Sequence, residues 1–220
     1  MALEPCDEQI EQFFECFTCV VAGYFLMQVP AHALDGIRLR RIPGQEVQLD
    51  PAGAVGNRVT AIWTTGTDLG TQNASFISLE AYRDLFKPFH KAVNDWMHEH
   101  TGWKSMIHSC GSVRSLIEDF IDAGFDILNP VQCSAANMNP SELKSAFGDR
   151  ITFWGGGVDT QHTLPFGTPK EVRKEVRKRI KTFAPGGGFV FATVHNIQSR
   201  VPVENLLAMF ETVRESRSYR

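Results

Sequence analysis

The residues with the most direct claim on chemistry are His108 and Cys110, one residue apart in the chain. In an extended segment positions i and i+2 leave the same face, so an imidazole nitrogen and a thiolate can close together on one soft cation such as zinc. The same spacing also fits a buried histidine satisfied by a backbone carbonyl, beside a cysteine packed as a small apolar residue. His195 ends the last β-rich run of the chain. In a parallel barrel it looks onto the same face as the H-x-C pair. Two nitrogens and one sulfur with a fourth position open make a catalytic rather than a structural zinc set.

Two carboxylates stand just after β-rich runs, Asp68 and Asp159. Each can orient a histidine, act as a general base or hold a polar group of a substrate, and each also suits the capping of a turn or helix. Gln72, Gln132, Gln161 and Gln198, with Asn196, add neutral donors and acceptors suited to a polar organic ligand. Gly155, Gly156 and Gly157 allow close approach of backbone to a ligand, or a bulge. Cys133 follows Gln132 and either joins a metal site or packs as a bystander. His90, His98, His100 and His162 read as core or surface histidines. No P-loop, G-x-G-x-x-G or G-x-S-x-G pattern occurs, so no nucleotide cofactor is expected.

Elements that could position these groups alternate along the chain. Short β-rich runs at Arg58 to Trp63, Lys104 to His108, Phe125 to Asn129, Ile151 to Trp154 and Gly188 to Val194 are separated by helical stretches. Asn139-Pro140-Ser141-Glu142 and Thr168-Pro169-Lys170-Glu171 each supply an N-cap, a proline at N1 and a glutamate at N3. Val113, Leu116, Ile117, Phe120 and Ile121 trace one buried helical face; Val172, Val176, Ile180 and Phe183 trace another, opposite lysines and arginines expected to face solvent. A long helix is predicted between Ser78 and His100, divided or kinked at Pro88. With a closing helix from Pro202 to about Arg214, the pattern is α/β, the back half of a (β/α)8 barrel with about its last five strands. Residues 55–220 form this portion. Residues 1–54 read as an atypical leader without β-α alternation, its C-x-x-C pair Cys16 and Cys19 taken as core or unstructured cysteines.

Composition narrows the partners. A formal net charge of -3 offers no field for nucleic acid or an anionic membrane. Five irregularly spaced cysteines in a 220-residue chain argue for a reducing compartment, read as the cytoplasm. The apolar run from Phe13 to Pro30 contains Glu15 and follows acidic residues, against a membrane span or signal peptide. A small soluble substrate is expected. Half a barrel leaves strand edges unpaired, which makes a homo-oligomer a further expectation.

The phrases TDLGTQ, LFKPFHK, HSCGSV, AGFDILNPVQ, FGDRITFWGGGVDTQ and GGFVFATVHNIQ, in this order between about Val55 and Glu215, resemble the uroporphyrinogen decarboxylase superfamily. The resemblance implies a barrel fold and extends to two understood classes, decarboxylases of the haem pathway and zinc methyltransferases that move methyl groups to or from a corrinoid or thiol, and to a third, large group known mainly by sequence, which this chain resembles most. The methyltransferases carry an H-x-C pair where this chain has His108 and Cys110. Their further cysteine near the last strand is replaced here by His195, as in the decarboxylases, and a glutamate of theirs lies near Gln132. The decarboxylases' arginine-rich motif and aspartate from the first strands have no counterpart here. The resemblance therefore implies a partial copy of a zinc methyltransferase, with a small organic substrate and a corrinoid protein as partners, and with decarboxylation or an inactive remnant as the alternatives.

Overall fold

Five apolar runs flanked by glycine-bearing turns pair side by side in the order in which they occur. In the structure, a computed structural model, residues 37–42, 45–49, 52–53 and 56–216 are described. Strands β3 (Ala61–Thr65), β4 (Lys104–His108), β5 (Ile127–Asn129), β6 (Thr152–Trp154) and β7 (Phe189–Val190) form one parallel sheet in the order β3-β4-β5-β6-β7. Parallel strands in sequential order, joined by the right-handed crossovers that such strands adopt, are barrel winding, whereas a doubly wound sheet reverses at a switch point. The sheet is thus an arc of a (β/α)8 barrel. Upstream, β1 (Ile37–Ile42) and β2 (Gln45–Leu49) pair antiparallel as a separate two-stranded sheet, a hairpin within the stretch read as lacking barrel units. Cys16, Cys19 and the Phe13 to Pro30 run lie outside the described residues.

The helices follow their capping chemistry. α1 (Leu79–Leu85) starts at Ser78, whose side chain accepts from Ala81 N–H, and α2 (Lys87–His100) follows after Phe86. Pro88 falls in the first turn of α2, where its missing N–H costs no helical bond, so it divides the long helix as expected. After a 3-10 turn at Arg114–Leu116 comes α3 (Ile117–Asp122), then α4 (Pro140–Phe147), α5 (Thr163–Phe166), α6 (Pro169–Phe183) and α7 (Val203–Ser216). Asn139 accepts from the N–H groups of Ser141 and Glu142, and Thr168 and Glu171 form a reciprocal capping box. Among the described residues no helix is long and apolar enough to cross a membrane.

Phe120, Leu128, Leu143, Phe153 and Phe183 lock the helices onto the sheet in one core, and Val158, Leu164, Val172, Val176 and Met209 hold α5, α6 and α7 together in a second. The basic face of α6 departs only in part from the solvent-facing expectation: Lys170, Lys174, Arg177, Lys178 and Lys181 are exposed. Arg173 and Arg177 pair with Glu211 and Glu215 of α7 at 2.8 and 3.1 Å, so part of this face is an interhelical seam. The other departure is β7, whose regular ladder ends after Val190 although the apolar run continues to Val194. Its neighbour β6 has only three residues, and beyond Trp154 the glycine loop takes over the pairing irregularly: Gly157 N–H bonds to Ala192 O, and Val194 N–H to Val158 O.

Candidate metal and substrate site

β4 and β5 run parallel with His108 in register with Asn129, so two polar side chains end adjacent strands side by side. Asn129 Nδ2 donates to Trp154 O at 2.8 Å. That bond fixes the amide, because only its NH2 end can meet a carbonyl. Oδ1 therefore faces His108 Nδ1 at 2.6 Å and accepts its proton. With the proton held on Nδ1, Nε2 is left as a lone pair, the form in which histidine ligates a metal. Trp63 stacks on the imidazole, ring centroids 4.8 Å apart, and its Nε1–H donates to Thr65 O. The strand carrying it has a bulge between Trp63 and Thr65, a device that re-aims side chains at barrel rims.

Nε2 of His108 lies 3.5 Å from Cys110 Sγ and 3.8 Å from Asp68 Oδ1. The ligand atoms of Asp68, His108 and Cys110 all fall within 4.8 Å of one another, and among the described residues they are the group able to hold a metal ion. A tetrahedral zinc with Zn–N ~2.0 Å and Zn–S ~2.3 Å sets its nitrogen and sulfur about 3.5 Å apart, which the His108–Cys110 pair already satisfies. The donor set fits zinc. Asp68 is held by the backbone of the same loop, the same Oδ1 accepting Cys110 N–H at 2.7 Å. Gly70 and Gly111 bring the two loops together: Gly111 has φ +84, and a Cβ there would stand 2.5 Å from Gly70 O. Burial, then the charge and hydrogen bond of Asp68, push the Cys110 thiol up to about 12. A bare Cys110 is therefore a thiol at neutral pH, and a cation is what would make it a thiolate.

Beside this cluster three glutamines meet. Gln132, only 5% exposed, accepts Gly111 N–H at 2.9 Å through Oε1, and its Nε2 donates to Gln72 Oε1 at 3.0 Å and Gln161 Oε1 at 3.5 Å. Gln72 and Gln161 are exposed.

The remaining sequence candidates stand elsewhere. His195 is exposed in the loop after β7 and outside the metal-capable group, in which Asp68 takes the third position. Asn196 and Gln198 share that exposed loop, and Gln198 Nε2 donates to Asn196 O. Asp159 closes its own turn: Oδ1 accepts from the N–H groups of Gln161 and His162, and Oδ2 lies 3.4 Å from His162 Nδ1. The glycine run serves packing at Gly155, where φ is +133 and a Cβ would stand 1.9 Å from Pro130 O. Cys133 lies against the main core with its thiol raised by burial to about 11, and His90 is buried beside Tyr82. No role was assigned to Asn129 or Trp63 from the sequence. Asn129 had a signal, as the first polar residue at a strand end level with His108; Trp63 reads only as a strand aromatic.

Over 83 residues the chain is 31% identical to a uroporphyrinogen decarboxylase of Actinobacillus succinogenes, an alignment covering 37% of this chain and 23% of that protein. Its fold matches a methyltransferase from Methanosarcina mazei with a TM-score of 0.56 at 19% identity, covering 76% of this chain and 45% of the other. The chain thus spans less than half the length of either relative. A sequence model of the uroporphyrinogen decarboxylase family matches residues 65–216, from the last residue of β3 through α7, and the chain belongs to that family.

Proposed function

We propose that this chain carries the metal and thiol-binding part of a zinc-dependent methyl-transfer site, acting on a small organic thiol with a methylcorrinoid as the other partner. The observation that supports this most is the fixed tautomer of His108: Asn129 holds its proton on Nδ1 and leaves Nε2 bare beside Cys110 and Asp68. His108, Cys110 and Asp68 would hold the ion, in place of a set completed by His195. When bound, zinc lowers the pKa of a substrate thiol and supplies the nucleophile at neutral pH. Asn129 orients the histidine, Asp68 also fixes the loop through Cys110 N–H, and Gln72 and Gln161 contact the substrate from the same rim. His195, Asn196 and Gln198 are further substrate contacts, and Asp159 holds the loop that carries Gln161. The overall reaction would move a methyl group from a methylcorrinoid to the thiol sulfur: the S–C bond forms as the Co–C bond breaks, the Co–C electron pair stays with the corrinoid, which leaves at the Co(I) level, and the thiol proton passes to solvent.

The test is twofold. Purified full-length chain should contain zinc near one equivalent, lost in Cys110→Ala, and should convert 3-mercaptopropionate to its methyl thioether with methylcobalamin. Zinc content unchanged in Cys110→Ala would sink the metal assignment. The 31% identity to a decarboxylase supports a second reading, decarboxylation of a pyrrole-type substrate without metal. Anaerobic turnover of uroporphyrinogen III by zinc-free protein would favour it.

A further inference from the structure

The three glutamines form a chain of amides whose polarity is set from the backbone. A main-chain N–H can only donate, so Gly111 obliges Gln132 to present Oε1 to it. Nε2 of Gln132 then has two hydrogens, and two oxygens stand in reach of it, those of Gln72 and Gln161. Each outer amide is thereby turned oxygen inward. Among the described residues no hydrogen bond engages Nε2 of Gln72 or of Gln161. Four N–H bonds from two strand-end loops are therefore left free, on amides linked through Gln132 to the backbone of Gly111, the residue after Cys110.

We infer that this array binds a carbonyl-type oxygen of the substrate, so that the thiol substrate proposed above carries an acceptor group, a carboxylate or a neutral carbonyl, and not an ammonium. The inference rests on the reading of this rim as a substrate site. Gln132 is then a positioning residue, spent entirely on Gly111 and its two neighbours, while Gln72 and Gln161 touch the ligand. The exposed pair could reorient freely if unsupported; the buried amide is what makes one orientation the better one.

Metal-free, nitrogen-15-labelled full-length chain provides the test, read on the side-chain NH2 signals of Gln72 and Gln161 and on the Gly111 amide. Propionate and N,N-dimethylpropionamide, which offer only acceptors, are expected to shift these signals, and propylammonium is not. The two acceptor probes distinguish a carboxylate from a neutral carbonyl. In the double variant Gln72→Glu, Gln161→Glu, each residue still accepts from Gln132 but turns an oxygen outward, and propylammonium should bind at least tenfold tighter than either acceptor, read at Gly111. Because both positions are exposed, the variant is expected to fold. Gln132→Met is a second check: with the relay gone, discrimination among the three probes should be lost. Equal responses to propylammonium and propionate in the native chain, or none to either acceptor, would overturn the inference. A chain that discriminates as stated but takes up no zinc upholds the amide array and overturns the metal reading; zinc uptake without discrimination does the reverse.

Discussion

Replacing Asn129 by leucine separates the role of the histidine's support from that of the ligands themselves. Leucine keeps much of the volume but removes both amide bonds, the 2.6 Å acceptor to His108 Nδ1 and the 2.8 Å donor to Trp154 O. The imidazole then loses the acceptor that holds its proton on Nδ1, and the tautomer with the proton on Nε2 points N–H at the ion. Loss of such an outer partner typically costs 10–100-fold in metal affinity, about 1.4 to 2.7 kcal/mol. Trp154 O forfeits a hydrogen bond as well, about 1 kcal/mol of stability, too little to unfold the domain. Asn129→Asp keeps an acceptor at the same place and should bind zinc as well as the native chain or better. Competition against a chromophoric chelator at pH 7.5, with thermal unfolding in parallel, measures both quantities. A folded Asn129→Leu protein holding zinc within twofold of the native affinity would refute the tautomer argument.

Other consequences follow from the same geometry. With the Cys110 thiol near 12, metal binding must expel its proton, so zinc affinity should rise about tenfold per pH unit between pH 7.5 and 8.5, and that slope should disappear in Cys110→Ala. Asp68→Asn should weaken zinc binding more than His195→Ala does, as read by the same competition, and the opposite ranking would restore His195 as the third ligand. His90 is buried and lowered to about 4 by desolvation, against about 6.5 in the unfolded chain. Its neutral form contributes full stability above pH 6.5, and the unfolded state takes up the proton first as pH falls. Stability measured by urea should therefore drop about 3 kcal/mol between pH 6.5 and 4, a slope missing in His90→Gln. Asp119, 3% exposed, accepts from Arg83 Nε at 2.9 Å and Lys87 Nζ at 2.7 Å and clamps the α1–α2 pair to α3. Asp119→Ala should cost about 2 kcal/mol in urea unfolding, less than a fully buried pair, because Arg83 can turn to solvent and Lys87 keeps Asp122.

Much of the scaffold was legible because its signals are local. β4 spans the predicted Lys104 to His108, Asn139 and Thr168 cap the helices they precede, and Pro88 opens the helix it was expected to divide. What depends on partners distant in the chain was not legible. β7 stops early because β6 offers it so short an edge, and the basic face of α6 finds its acids 38 residues away on α7. The site divides in the same way. The H-x-C spacing is local and brought His108 and Cys110 together, and the strand-end rule brought Asp68 beside them and linked Gln72, Gln132 and Gln161, but not Gln198. That Asp68 rather than His195 stands within reach of Cys110 depends on two glycine loops packing backbone to backbone, a contact no spacing encodes. The support of His108 by Asn129 is likewise a matter of strand register, 21 residues apart in sequence.

The most direct test of the metal site is X-ray absorption at the zinc edge on the purified full-length chain. The expected spectrum has a single sulfur neighbour near ~2.3 Å, from Cys110, and nitrogen or oxygen neighbours near ~2.0 to 2.2 Å from His108, Asp68 and an exchangeable ligand. Zinc surrounded only by nitrogen and oxygen, or held by two or more protein sulfurs, would contradict it.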